Sequence, residues 1–171
     1  MNFRISLALA FTLAMAASAH AQTDTQTFTM TVPATVTITA PSAATATHDE
    51  TDNDVAFSAQ QWSVSGNGSA GVQVSFSTGS AFVNTTDGGY KRDVQLGVSV
   101  SATEGPATWT EDVASDTTDY GGGDEVATVV VSSDGVGNAT VDLTVTFKTV
   151  NYGTFLAGDY ATTITGTITS N

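Results

Sequence analysis

Cysteine is absent from the 171 residues, only 4 lysines and arginines stand against 17 acids, and proline occurs 3 times. Without cysteine there is no disulfide framework, no thiol nucleophile and no Cys-based zinc site. The shortage of cations gives a net charge of −13. That argues against nucleic acid as a partner, because phosphates are met by a basic surface. Beyond the first twenty residues no run is apolar enough to cross a membrane as a helix. Nor do apolar residues recur there at helical spacing with caps. No fixed-period repeat and no break in composition suggest a second domain. What the chain has in excess is threonine, at 31 positions, with a hydrophobic fraction of 40%. Such a composition suits Thr-rich β structure better than disorder, which goes with low hydrophobicity.

Met1–Ala21 reads as a secretory signal peptide. Arg4 supplies the positive start, Ile5–Ala17 the short apolar stretch, and Ala19-His20-Ala21 the small-x-small cleavage pattern. Cleavage there leaves residues 22–171. They hold three cations (Lys91, Arg92 and Lys148) against the same 17 acids, a net −14, with His48 as the one histidine. After cleavage no membrane insertion is expected.

The rest of the chain is read as strands and turns in a single domain, 22–171. From Phe28 to Ala40 every even position is apolar, and every odd position from Thr27 to Thr39 is Thr except Pro33. Strict period two sends one face to a core and the other to solvent. The alternation predicts a long N-terminal strand over 26–40, either at a sheet edge or broken at Pro33, which has no N–H to donate. Similar alternation marks Trp62–Ser65, Val72–Phe76, Val94–Val100, Ala139–Lys148 and Tyr160–Thr169, with a denser apolar run at Val126–Val131. Gly66–Gly71, Asp87-Gly88-Gly89, Tyr120–Asp124 and Asp134-Gly135 supply the turns. Gly66-x-Gly68-x-x-Gly71 formally matches a dinucleotide fingerprint, but it links two strands and opens no helix. The expected fold class is all-β: a single antiparallel β-sandwich of eight or more strands.

Leu156-Ala157-Gly158-Asp159-Tyr160 resembles the turn of immunoglobulin-like and fibronectin-III-like modules in which a tyrosine hydroxyl caps a corner. Gly158–Thr169 looks like the last strand of secreted bacterial pilin-like and spore-coat-U-like subunits. The resemblance implies an immunoglobulin-like or pilin-like sandwich and an extracellular or cell-surface location. The signal peptide would take it there through the periplasm of a Gram-negative bacterium.

Candidate sites are few. Glu50, Asp52 and Asp54 would project from one side of an extended segment, the donor set a Ca²⁺ ion requires. The alternative is a solvated acidic loop. A second acidic stretch, Glu111 to Glu125, reads as surface charge. A Ser-His-Asp arrangement would have to use His48, and there is no G-x-S-x-G elbow, so no catalytic set is assigned and no enzyme is expected. No cofactor is implied beyond the candidate Ca²⁺.

Two function classes remain. The first is a structural or adhesive subunit that assembles by β-strand donation, with Phe28, Met30, Val32, Val36 and Ile38 as donor side chains. Its alternative at the same residues is an ordinary first strand of the chain's own sandwich. The second class is a secreted binding module for glycans or Ca²⁺-bridged surfaces, using the acidic loop at residues 48–54 and nearby tyrosines at one end of the sandwich, with Tyr90, Tyr120 and Tyr152 beside Gly-rich turns.

Overall fold

A computed structural model of the protein describes residues 22–171. The signal-peptide reading of Met1–Ala21 lies outside the described residues. The chain divides into two units, Met1–Val32 and Pro33–Asn171. In the first, residues 22–32 form no strand. The second holds thirteen strands and, among the described residues, no helix. Accordingly no helix there is long and apolar enough to cross a membrane.

The strands are β1 (Val36–Thr39), β2 (Val55–Ala56), β3 (Gln60–Gly66), β4 (Val72–Thr78), β5 (Phe82–Asn84), β6 (Lys91–Arg92), β7 (Val94–Glu104), β8 (Trp109–Val113), β9 (Ser115–Thr117), β10 (Thr128–Ser133), β11 (Gly137–Phe147), β12 (Tyr160–Ala161) and β13 (Ile164–Ser170). One sheet runs β1-β3-β11-β7-β9, with β2 also paired to β11, and a second runs β13-β4-β10-β8. A small third sheet joins β12, β5 and β6. Every pairing is antiparallel.

Burial follows the alternation read from the sequence. In β11 every second side chain from Gly137 to Phe147 is buried, and in β4 Val72, Val74 and Phe76 are fully so. Their partners Leu96, Val98, Val129, Val131 and Trp62 come from both large sheets and form one core cluster. One core shared by two antiparallel sheets is consistent with a β-sandwich. Each such Val, Leu or Phe contributes roughly 1.5–3 kcal/mol by leaving water. The outward positions carry Thr and Ser. In the second sheet, for instance, Thr165, Ser77 and Thr128 lie side by side.

The two sides of the sandwich differ. On one side β8 belongs to the second sheet and β9 to the first, so the chain crosses between the sheets at Ala114. The Val98 N–H donates to the Ala114 carbonyl at 2.9 Å and fixes the crossing. On the other side the sheets end in β1 and β13, and no strand among the described residues joins them.

The 26–40 alternation yields a strand only over Val36–Thr39. Alternation records the capacity to pair, and pairing also needs a neighbour. β1 finds one in β3, while residues 22–32 have no strand partner among the described residues.

Candidate functional site: an exposed alternating segment and its anchor

Phe28, Met30 and Val32 are 85%, 88% and 73% exposed. Three large apolar side chains at every second position, in a segment with no strand pairing, cost hydration without gaining a core. The other two candidate donors are placed differently. Val36 and Ile38 lie in β1, opposite Gly66 and Val64 of β3. Ile38 packs against the core, so of the five named side chains only the first three stand free of a sheet.

The chain is gripped where the body begins. Asn67, in the β3–β4 turn, accepts a hydrogen bond from the Thr35 N–H at Oδ1 (2.7 Å) and donates from Nδ2 to the Pro33 carbonyl (2.9 Å). Its own N–H donates to the Thr35 carbonyl at 3.2 Å. Three bonds thus hold residues 33–35 from one turn residue. Pro33 could not have continued a ladder with its own N–H, and Asn67 takes over where the ladder stops. Sequence reasoning missed Asn67, since an Asn-Gly pair in a loop reads as turn chemistry. The turn itself demands glycine at Gly71: its φ is +80°, and a Cβ there would stand 2.0 Å from the Ser133 carbonyl oxygen.

The candidate cation ligands are not brought together. The segment that carries them is a looped stretch docked on residues 147–155, so strand alternation does not apply to it. The Asp52 carboxylate accepts the Tyr152 N–H at 2.7 Å. Asp54 accepts the Thr149 N–H at 2.9 Å and forms an ion pair with Lys148. Glu50 sits at φ 59° and is exposed. Among the described residues no group of three or more His, Asp or Glu side chains is arranged to hold a metal ion.

These carboxylates belong to a tether. His48 Nε2 lies 2.8 Å from Thr149 Oγ1, and its Nδ1 accepts the Glu50 N–H at 3.0 Å. The Thr149 hydroxyl donates to the Asn53 carbonyl at 2.6 Å, which leaves its oxygen to accept from His48. The imidazole stacks on Tyr152 (5.5 Å, 14°) and meets Phe147 and Phe155 edge-on. Arg92, in turn, lies 4.4 Å over the Phe155 ring. For Asp54, burial raises the pKa, but the Lys148 partner and the Thr149 N–H outweigh it and the net direction is down. The Asp49 carboxyl is lowered by the Thr51 hydroxyl and N–H.

The second acidic stretch is likewise tied into the fold. Glu111 accepts the Val100 N–H, Asp116 accepts the Thr128 N–H, and Glu125 pairs with Lys91. Near Glu111 an open depression of about 740 Å³ is lined by Val100, Thr108, Trp109 and Thr110. At the far turn the Tyr160 hydroxyl donates to the Leu156 carbonyl at 2.9 Å.

Comparison with known proteins adds no relative. No protein-family model, curated protein or solved structure is significantly similar to the chain.

Proposed function

We propose that the protein is an exported structural or adhesive β-sandwich subunit, immunoglobulin-like or pilin-like in type, that joins copies of itself by β-strand donation. The observation that carries this reading is the alternating exposure of Phe28, Met30 and Val32 in a segment without a strand partner. In strand donation, main-chain hydrogen bonds give affinity and every second side chain enters a pocket. The Asn67 clamp supports the reading, because it fixes the point from which the segment leaves the body. The Tyr160 corner supports the immunoglobulin-like type. The reading includes removal of Met1–Ala21 on export and action outside the cell or on its surface.

Electron microscopy of the protein from Gln22 onward tests it, beside a variant lacking residues 22–33. Filaments or discrete oligomers are expected for the first and monomers for the second. Monomers in both preparations would end the proposal.

A second reading, glycan binding, is favoured by the depression at Trp109, where an aromatic ring, hydroxyls and the Glu111 carboxylate meet. A glycan array on the monomeric variant checks it. Signals abolished by Trp109→Ala are the expected result for that reading.

A further inference from the structure

We propose that residues Thr23–Val32 of one copy pair along the free edge of β13 in a second copy, closing the side of the sandwich that the fold leaves open. This rests on the strand-donation reading and names the acceptor. The open side exposes the core. Val36 is 38% exposed, and Ile38, Ile164 and Ile168 are only half-buried, whereas the interior side chains of the same sheets are nearly all inaccessible. β1 and β13 face each other there across Gly166. A Cβ at that position would stand 2.8 Å from Trp62 Cζ3 and 2.9 Å from Ile38 Cδ1.

The edges are not equally receptive. β1 has four residues and follows Pro33, and β9 has three. β8 carries Glu111 and Asp112, and its register against β10 shifts between Val130 and Val131. Short length, charge, proline and irregularity are the devices that protect an edge from pairing. β13 has none of them: seven residues in unbroken register with β4, without proline or charge.

The free hydrogen-bonding groups can be assigned. The Gly79 N–H donates to the Thr163 carbonyl and the Asn171 N–H to the Gly71 carbonyl. In an antiparallel ladder this parity alternates. The odd residues from Thr163 to Asn171 therefore turn their N–H and C=O toward β4. Ile164, Gly166, Ile168 and Ser170 turn theirs outward, to the empty edge. The donor has the matching period. Any register that sets its threonines beside Thr165, Thr167 and Thr169 also sets Phe28, Met30 and Val32 on the side of Ile164, Gly166 and Ile168. Charge agrees as well. Residues 160–171 carry no charged side chain and the donor segment carries one, Asp24, so the two segments meet without like-charge repulsion between them.

The test is amide exchange in a mixture. Phe28→Asp/Met30→Asp is made in ¹⁵N-labelled protein from Gln22 onward. Both sites are at least 85% exposed, so the variant folds as the parent does. It is an acceptor that cannot donate, and it is mixed with unlabelled wild type. The amides of Ile164, Gly166, Ile168 and Ser170 in the labelled copy are expected to exchange about tenfold or more slowly than in the labelled variant alone. Those of Thr165, Thr167 and Thr169, already bonded to β4, should change little. If the wild type assembles but these four amides keep their exchange rates, the β13 acceptor is wrong while strand donation stands. If wild type and variant are both monomeric, strand donation itself falls, and the acceptor with it.

Discussion

Asn67 shows how much one side chain can hold at the boundary between segment and body. Its amide bonds the backbone on both sides of Ala34, accepting from Thr35 and donating to Pro33. A typical hydrogen bond of this kind contributes about 0.5–1.5 kcal/mol net. Asn67→Ala removes both side-chain bonds and should lower unfolding stability by about 1–2 kcal/mol. Asn67→Asp keeps the acceptor and loses the donor, so it should cost about half as much. Urea unfolding midpoints of the three proteins measure this. Equal midpoints would mean that the clamp is not formed in solution. By contrast, Phe28 and Met30 touch so little that replacing them should leave the midpoint within about 0.5 kcal/mol of the parent. Separation of a stability residue, Asn67, from the assembly residues Phe28 and Met30 is the signature expected of a donor segment.

At the scale of elements, the loop over residues 48–54 is held to residues 147–155 by carboxylates, one imidazole and aromatic faces. Asp54 is its charged tie, with a pKa lowered below the ordinary carboxylate value of about 3.9. A group whose folded pKa lies below its unfolded value adds stability above the unfolded pKa and loses it as pH falls through the folded one. The tie should therefore be fully present above about pH 5 and weaken progressively below about pH 4. Urea midpoints from pH 2.5 to 6 should fall less steeply on the acid side for Asp54→Asn than for the parent. Parallel curves would remove Asp54 from the tether. The same elements show what sequence could reveal. β4, β7 and β11 were legible because each is long enough, and buried enough on one face, for period two to appear. β5 and β6 have two or three residues, too few to carry a period, and β8 is exposed along most of its length. The free apolar residues 28, 30 and 32 were legible for the same reason as the core strands. A break at Pro33 was legible as one of two outcomes, but the hold on the chain there by Asn67, thirty-four residues further along, was not. The carboxylates at 50, 52 and 54 misled in the opposite sense. Their spacing suggests convergence only if the chain is extended, and backbone donors from a distant loop hold it folded instead.

For the whole molecule, charge and assembly pull in opposite directions. After loss of the leader each copy carries a net −14, so two copies repel at long range. Of the segments proposed to join, the acceptor is uncharged and the donor carries only Asp24, so salt has no attractive ion pair to weaken at the contact itself. Screening should act on the approach alone. The Debye length shrinks from about 30 Å at 0.01 M to about 3 Å at 1 M. Raising the salt over that range should speed association by about tenfold or more, with little effect on subunit dissociation. Light scattering after dilution of monomer into graded sodium chloride follows the first rate, and dilution of preformed assemblies follows the second. An association rate that falls with salt would show that opposite charges make the contact. With three cations in the exported chain, all of them on or beside the tethered loops and β6, the joint would then have to lie there rather than along β13.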